Sequence, residues 1–352
     1  MTTSTSASRQ GGEPLGRLMA SEMAEQPEAL GTLLARRGQI GREVRAVAPQ
    51  HLAGTVLVAR GSSDHAAKCG AYLIELATHR PVASSSPSVL TLYRAPTDFT
   101  GYLVVAVSQS GQTPEIVEVL NRARSSGARA IAITNDPNSP LGEAADLVVC
   151  LGAGPERAVP ATKTVTAELA AFAIVAQALG DIGVDDNAAG ELPAQVAEIL
   201  ANPAPASELA EWLAGADRMV TVARGLLYGA ACEVALKVEE TTARFTAAYS
   251  AADLRHGPIA MASNGPAVLG FAHPGPAGAD VTKVVAELRS RGADARLLGP
   301  VEGGEPLWSP AVPEILAPIL AVTRGQQLAL ALARLLGRDP DTPAGLTKVT
   351  IT

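Results

Sequence analysis

The densest set of chemistry-bearing side chains lies in Ser108-Gln-Ser-Gly-Gln-Thr113, where three hydroxyls and two amides follow an apolar run. Pro114 and Glu115 then open a segment with apolar residues at Ile116, Val117, Val119, Leu120 and Ala123, which predicts a helix. A strand, a tight turn and a helix N-terminus gather free backbone N–H groups, the positive end of a helix dipole and several hydroxyls in one small volume. A phosphate group requires such a donor set. The turn has neither the lysine of a P-loop nor the glycine spacing of a dinucleotide loop, so the expected ligand is a phosphorylated metabolite, with no cofactor. Ser and Thr also favour turns and N-caps in their own right, and the local pattern leaves a plain capped helix as the alternative.

Other candidate groups lie further along the chain. Gly61-Ser-Ser-Asp-His65 ends an earlier apolar run. There Gly61 permits close backbone approach, and Ser62 and Ser63 offer hydroxyls either to a ligand or to the cap of the following helix. Glu233, Lys237 and Glu240 share one helical face, and from spacing alone a solvated charged face accounts for them. Leu254-Arg-His-Gly-Pro258 places His256 in a Gly-Pro turn, where an imidazole beside a carboxylate would supply an acid and a base; a surface histidine is the alternative. Lys348 follows a Pro-bounded turn and precedes a Val/Ile segment that would pack down and fix it.

The elements that must hold these groups recur. Val58-Ala-Arg-Gly61 returns 164 residues later as Val222-Ala-Arg-Gly225, and Ala67, Ala71 and Glu75 return as Ala231, Ala235 and Glu239. Gly111 matches Gly275, and Arg124-Ser-Ser-Gly-Ala-Arg-Ala130 matches Arg289-Ser-Arg-Gly-Ala-Asp-Ala295 one position out of register. The reading is two similar α/β units. Apolar runs at 55–59, 102–107, 130–134 and 147–151 predict buried parallel strands in the first, with helices at 64–77 and 115–126. In the second unit the strands are expected at 219–223, 267–272 and 295–298. Alternating strands and helices imply doubly wound parallel sheets, which bind ligands at the carboxyl ends of their strands. The second copy of the turn reads Ala272-His-Pro-Gly-Pro276, so phosphate chemistry is expected only in the first. The expected organisation is a disordered start at 1–21 and a first unit with a helical lead-in at 22–190. A second unit follows at 191–340 and a tail at 341–352, with the connector interrupted at Pro193.

Composition narrows the function. Of the 352 residues, 47% are apolar and 18% charged, enough to bury a large core. A net charge of −7 without a basic run argues against nucleic acid as a partner. Cys69, Cys150 and Cys232 form no CxxC pair and read as reduced thiols of a cytoplasmic protein. The five histidines show no metal-ligand spacing, and the longest apolar stretch is too short to span a bilayer, so neither a metal nor a membrane is expected.

Taken together and in order, Gly61-Ser-Ser63, Ser108-Gln-Ser-Gly-Gln-Thr113, Glu156-Arg-Ala-Val-Pro-Ala-Thr-Lys163, Ala235-Leu-Lys-Val-Glu-Glu240, Arg255-His-Gly-Pro258 and Leu346-Thr-Lys-Val349 resemble the sugar isomerase (SIS) family. The likeness is to the isomerase half of glucosamine-6-phosphate synthase and to stand-alone aminosugar-phosphate deaminases, over about residues 22–352. The resemblance implies two tandem flavodoxin-like SIS domains. It implies that Ser108, Gln109, Ser110 and Thr113 hold a sugar phosphate, with Gly61, Ser62, Ser63 and Val159 also in contact with the substrate. Glu240 would shuttle a proton between C1 and C2, and Lys237 would lie near O1 and O2. His256 would open the sugar ring from a neighbouring subunit of a homodimer, and Lys348 would match a lysine that forms an imine with a keto sugar. The implied activity converts a hexosamine 6-phosphate, foremost glucosamine 6-phosphate, to fructose 6-phosphate and ammonia. Another amine adduct or a non-catalytic phosphosugar sensor is the alternative. Thr2 follows Met1, so no glutaminase is expected, and Pro160 and Ala161 depart from the small residue and serine common in synthases.

Overall fold

The structure is a computed structural model that describes residues 14–348. Helices α1 (Arg17–Ala24), α2 (Gln26–Ala35) and α3 (Arg37–Val47) lead into the first unit. That unit runs β1 (Gly54–Val58), α4 (Gly61–Thr78), β2 (Val82–Ser84), α5 (Pro87–Thr91), β3 (Tyr102–Val107), α6 (Pro114–Ser125), β4 (Arg129–Thr134), α7 (Pro140–Glu143) and β5 (Leu147–Cys150). Three helices, α8 (Lys163–Leu179), α9 (Asp186–Ala201) and α10 (Ala204–Leu213), connect it to the second. The second unit runs β6 (Arg218–Ala223), α11 (Leu227–Thr242), β7 (Phe245–Ser250), α12 (Ala251–Arg255), β8 (Ala267–Phe271), α13 (Pro276–Ser290) and β9 (Ala295–Leu298), and α14 (Ala317–Leu335) follows.

Both sheets are wholly parallel, ordered β2-β1-β3-β4-β5 and β7-β6-β8-β9. The second order repeats the first without its last strand, so the sequence repeat is a repeat of topology. The strand order reverses between β1 and β3, the switch point at which doubly wound sheets bind ligands. Side chains alternate along each strand, and the core divides accordingly. Leu103, Val105 and Val107 of β3 face a core shared with Leu269 and Phe271 of β8, while Val104 and Ala106 face outward against Ile116, Val119 and Leu120 of α6. On the far side Val268 of β8 packs against Val281, Val284 and Val285 of α13.

Between the sheets, α4 packs on α8 and α11, and α11 packs on α14. The α4–α11 approach is close because Gly229 has no side chain: a Cβ there would meet the His65 carbonyl oxygen at 2.4 Å. That contact carries α11 of the second unit up to α4, which begins at the carboxyl end of β1 in the first.

Three expectations change. Helix α1 begins at Arg17, inside the stretch expected to be disordered, because Met19 and Met23 are buried against Ala158 and Leu330; residues 1–13 lie outside the described residues. The expected boundary at 190/191 falls within α9, which also runs through Pro193 instead of breaking there. Proline leaves one helical carbonyl without its amide partner, but Ala189, Leu192, Val196 and Ile199 keep the opposite face buried. Strands β2 and β7 were not expected; both sit at sheet edges, and β2 has only three residues. Among the described residues no helix is long and apolar enough to cross a membrane.

Candidate active site

A cleft of about 310 Å³ opens at the carboxyl ends of β1 and β3. Gly61, Ser62, Ser63, Ser108, Gln109, Ser110, Thr113, Val159, Glu240 and Lys348 line it, joined by Arg60 and by Ala161, Leu346 and Thr347. Of the residues singled out from sequence, Lys237 lies directly behind this lining, bonded to Ser62 and Glu240. His256 follows α12 on an exposed turn and is not among the lining residues.

The hydroxyl-rich turn is held from below. Gly111 takes a left-handed φ of 63°, and a side chain there would collide with Ser139 Oγ at 2.0 Å. The Gln109 carbonyl accepts from Asn135 N at 3.1 Å and Thr134 Oγ1 at 3.3 Å, and Gly111 N donates to Ser108 at 3.2 Å. Thr113 is the N-cap residue of α6, yet its side chain makes no capping bond. The α4 serines do not cap either, since the helix starts at Gly61 and its cap residue is Arg60. Their hydroxyls face other partners: Ser62 accepts from Lys237 Nζ at 3.1 Å, and Ser63 Oγ lies 2.8 Å from Glu168 Oε1. Helix capping therefore does not account for Ser62, Ser63 or Thr113, whereas Ser108 and Ser110 also accept turn N–H groups, from Gly111 at 3.2 Å and Gln112 at 3.3 Å.

Two of the charges on α11, Glu233 and Lys237, are buried instead of solvated, and Glu240 is partly exposed at the cleft. Lys237 is 0% and Glu233 1% exposed, because α11 is wedged between α4 and α14. Lys237 Nζ lies 2.5 Å from Glu240 Oε2 and 3.4 Å from Glu233 Oε1, whose other oxygen meets His65 Nδ1 at 2.9 Å. Burial opposes the Lys237 charge, but the two carboxylates outweigh it and raise the ammonium above the usual lysine range. Burial would also raise Glu233; Lys237 and the His65 hydrogen bond hold it below the usual carboxylate range. Glu240 goes the other way. Burial is its largest influence and pushes its carboxyl up, and Lys237 only partly reverses this. The arrangement is a carboxylate with enhanced basicity beside a permanently charged ammonium.

Lys348 reaches the cleft from the tail and is fixed by an ion pair with Glu156 at 2.9 Å. Glu156 is buried and also accepts from Thr162 N, Thr164 N and Thr164 Oγ1 at 2.9, 3.1 and 2.7 Å. Burial opposes its charge, and Lys348 and the Thr164 bond overcome that and lower its pKa. The loop is pinned again by α1: Glu22 accepts from Arg157 N at 2.5 Å and Ala158 N at 3.1 Å, and Glu25 pairs with buried Lys163 at 2.5 Å. The Val/Ile segment expected to pack down after Lys348 lies outside the described residues; the observed anchor is Glu156.

Sequence reasoning gave no role to Glu156, Glu168, His65 or Arg60. Glu156 opens a quoted motif, and Glu168 is the one acid in the apolar stretch of α8, so both left a trace. Arg60 sits at the cleft rim, paired with Glu115 at 2.7 Å.

The sequence profile of the SIS domain matches residues 55–178 and 212–298. The glutamine–fructose-6-phosphate aminotransferase (isomerizing) of Symbiobacterium thermophilum is 34% identical over 94% of the chain, which spans 58% of that protein's length. Among solved structures, a candidate phosphosugar isomerase from Silicibacter pomeroyi DSS-3 is 31% identical, with a TM-score of 0.84 over 92% of this chain and 99% of its own. A glucosamine-6-phosphate deaminase from Thermotoga maritima, at 21% identity, shares the fold with a TM-score of 0.75 over 95% of this chain and 100% of its own.

Proposed function

The chain belongs to the SIS domain family, and from that premise we propose that it converts a 2-amino-2-deoxyhexose 6-phosphate, foremost glucosamine 6-phosphate, to fructose 6-phosphate and ammonia. The observation that carries this reading is the meeting of a hydroxyl-lined anion turn with Glu240, Lys237 and Lys348 around one cleft. The phosphate sits at Ser108–Thr113, where hydroxyls and the α6 N-terminus supply the donors. Carbons C1 and C2 then lie toward Glu240. The Glu240 carboxylate removes the C2 proton of the open-chain sugar and returns it to C1. The C2 imine formed takes up one water and releases ammonia, leaving the ketose. Negative charge develops on the sugar oxygen during proton transfer, and the fixed Lys237 ammonium stabilises it. Lys348 is assigned imine exchange with the keto sugar, a step for which its ammonium must first pass a proton to Glu156 and become a free amine. Ring opening is assigned to His256, which lies on an exposed turn and is absent from the cleft of its own chain. A second copy would supply it, making the active form a homodimer.

A second reading has its own support. Arg60, with a side chain 46% exposed at the cleft rim, would meet an anionic amine adduct such as an amino-acid–sugar phosphate. Both readings are tested by incubating the purified protein with glucosamine 6-phosphate and following ammonia and fructose 6-phosphate together. Equal amounts of both support the deaminase. Neither product, with release of an amino acid from a fructosyl-amino-acid phosphate, supports the adduct reading.

A further inference from the structure

Behind the cleft, α8 carries a carboxyl group that the proposed reaction does not use. Glu168 is 1% exposed, and its Oε1 lies 2.8 Å from Ser63 Oγ, which lines the cleft. The charged groups that face it are Glu156 from the loop before α8, Glu233 from α11 and Lys348 from the tail. Both glutamates are held in the ionised form by their own cationic partners, as described above. A third carboxylate in that volume would be unpaired, since Lys348 bonds Glu156 and Lys237 bonds Glu240 and Glu233.

We infer that Glu168 is a positioning residue that sets the direction of the Ser63 hydroxyl. As a neutral acid it donates its own O–H to Ser63 Oγ, which frees the Ser63 O–H to donate into the cleft. As a carboxylate it would accept from Ser63 and leave the cleft facing only lone pairs. An anionic ligand needs the first arrangement, because a hydroxyl helps hold an anion only by donating to it. This rests on the phosphosugar reading of the cleft and adds the group that makes one of its hydroxyls a donor. Protonation follows from the same surroundings: burial pushes the Glu168 carboxyl up to about 8, the Ser63 bond and Lys348 pull back, and Glu156 and Glu233 push further. The acid is then neutral at pH 7 and ionises as pH rises above 8.

The test is binding of fructose 6-phosphate by calorimetry at pH 7 and pH 9, where its phosphate is dianionic throughout. The expected result is about tenfold weaker binding at pH 9 in the unmodified protein, the weight of one hydrogen bond to a charged group. Glu168→Gln should bind as the unmodified protein does at pH 7 and lose that weakening, because its amide donates to Ser63 at any pH. Ser63→Ala should also lose most of the pH dependence, since the effect passes through the hydroxyl. Equal alkaline weakening in Glu168→Gln overturns the inference alone; no binding by any of the three overturns the phosphosugar reading with it. Infrared spectroscopy supplies a readout free of ligand. A protonated-carboxyl band at pH 7 that fades by pH 9 and is missing from Glu168→Gln supports the assignment, and its absence overturns it.

Discussion

The two units share strand order, parallel pairing and the helix after the third sheet position, yet their corresponding turns differ in content. In the first, Ser108 to Thr113 line an open cleft, and Thr113 leaves its side chain uncommitted to the helix. In the second, the turn at His273–Pro276 has no hydroxyl side chain; its imidazole is buried while Pro274, Gly275 and Pro276 stay exposed. His273 is 3% exposed, Trp308 covers it and donates Nε1–H to His273 Nδ1 at 3.2 Å, and burial lowers the imidazole's pKa. One copy of the fold lines a cleft with hydroxyls, while the other carries none in the turn and commits its imidazole to Trp308. The second unit contributes through a helix instead, since α11 crosses to the first unit's cleft and brings Glu233, Lys237 and Glu240.

The division of labour implies that chemistry fails when α11 is altered and binding fails when the turn is altered. Glu240→Gln carries the largest expected effect. Turnover of glucosamine 6-phosphate should fall by about 10²–10⁴-fold, the usual weight of a positioned base, while fructose 6-phosphate binding changes only a few-fold. Persistent turnover would remove Glu240 as the base and with it the assignment of chemistry to the second unit.

Lys237→Met tests the same helix through stability. Removing one member of a buried ion pair costs about 3–5 kcal/mol, and here it leaves Glu233 and Glu240 facing each other. Thermal unfolding should drop accordingly. The deficit should shrink as pH falls, because with their cation gone both carboxyls have raised pKa values and bind protons more tightly in the folded chain. A variant as stable as the parent at pH 8 would mean the network is solvated after all.

How far these roles were legible in sequence depends on distance along the chain. The long central strands and the Ser108–Thr113 turn are local patterns, and they appear where expected. The repeat was legible because two copies of the same local signals occur in one order. Burial of Lys237 and Glu233 was not legible. Their spacing on α11 suits a surface ion pair equally well, and only the packing of α4 and α14 on either side removes them from water. Glu156 and Glu168 are hidden for the same reason, since a residue's partner 192 or 105 positions away leaves no mark on its neighbours.

A paired substitution sharpens the contrast between the turns. Ser110→Ala should raise the KM for a phosphosugar by about 10- to 100-fold, the loss of one hydrogen bond to a charged group at about 1.5–3 kcal/mol, with little change in thermal stability. Trp308→Phe should do the reverse: it strips His273 of its donor and costs about 1–3 kcal/mol of stability with KM unchanged. If Trp308→Phe alters KM, the second turn is in contact with the ligand and the asymmetry is weaker than drawn.

The smallest effect concerns how the two ends of the chain hold the cleft together. Helix α1 has Gly16 as its N-cap residue and no side-chain cap of its own. Asp341 supplies the cap from the tail, accepting from Leu18 N at 2.7 Å and Met19 N at 2.8 Å, and Asp339 accepts from Gly16 N at 2.9 Å. The same helix pins the loop whose Glu156 holds Lys348, so tail and loop are each tied to α1. Asp341→Ala should cost about 1 kcal/mol of stability, as loss of a cap does. Because Lys348 lies seven residues beyond Asp341 in the same tail, turnover should fall by a few-fold while KM stays fixed. Binding is assigned to the first unit's turn, which makes no use of that tether. A rise in KM without a change in kcat would instead place the tail in phosphate binding and erase the distinction between the region that holds the ligand and the region that transforms it.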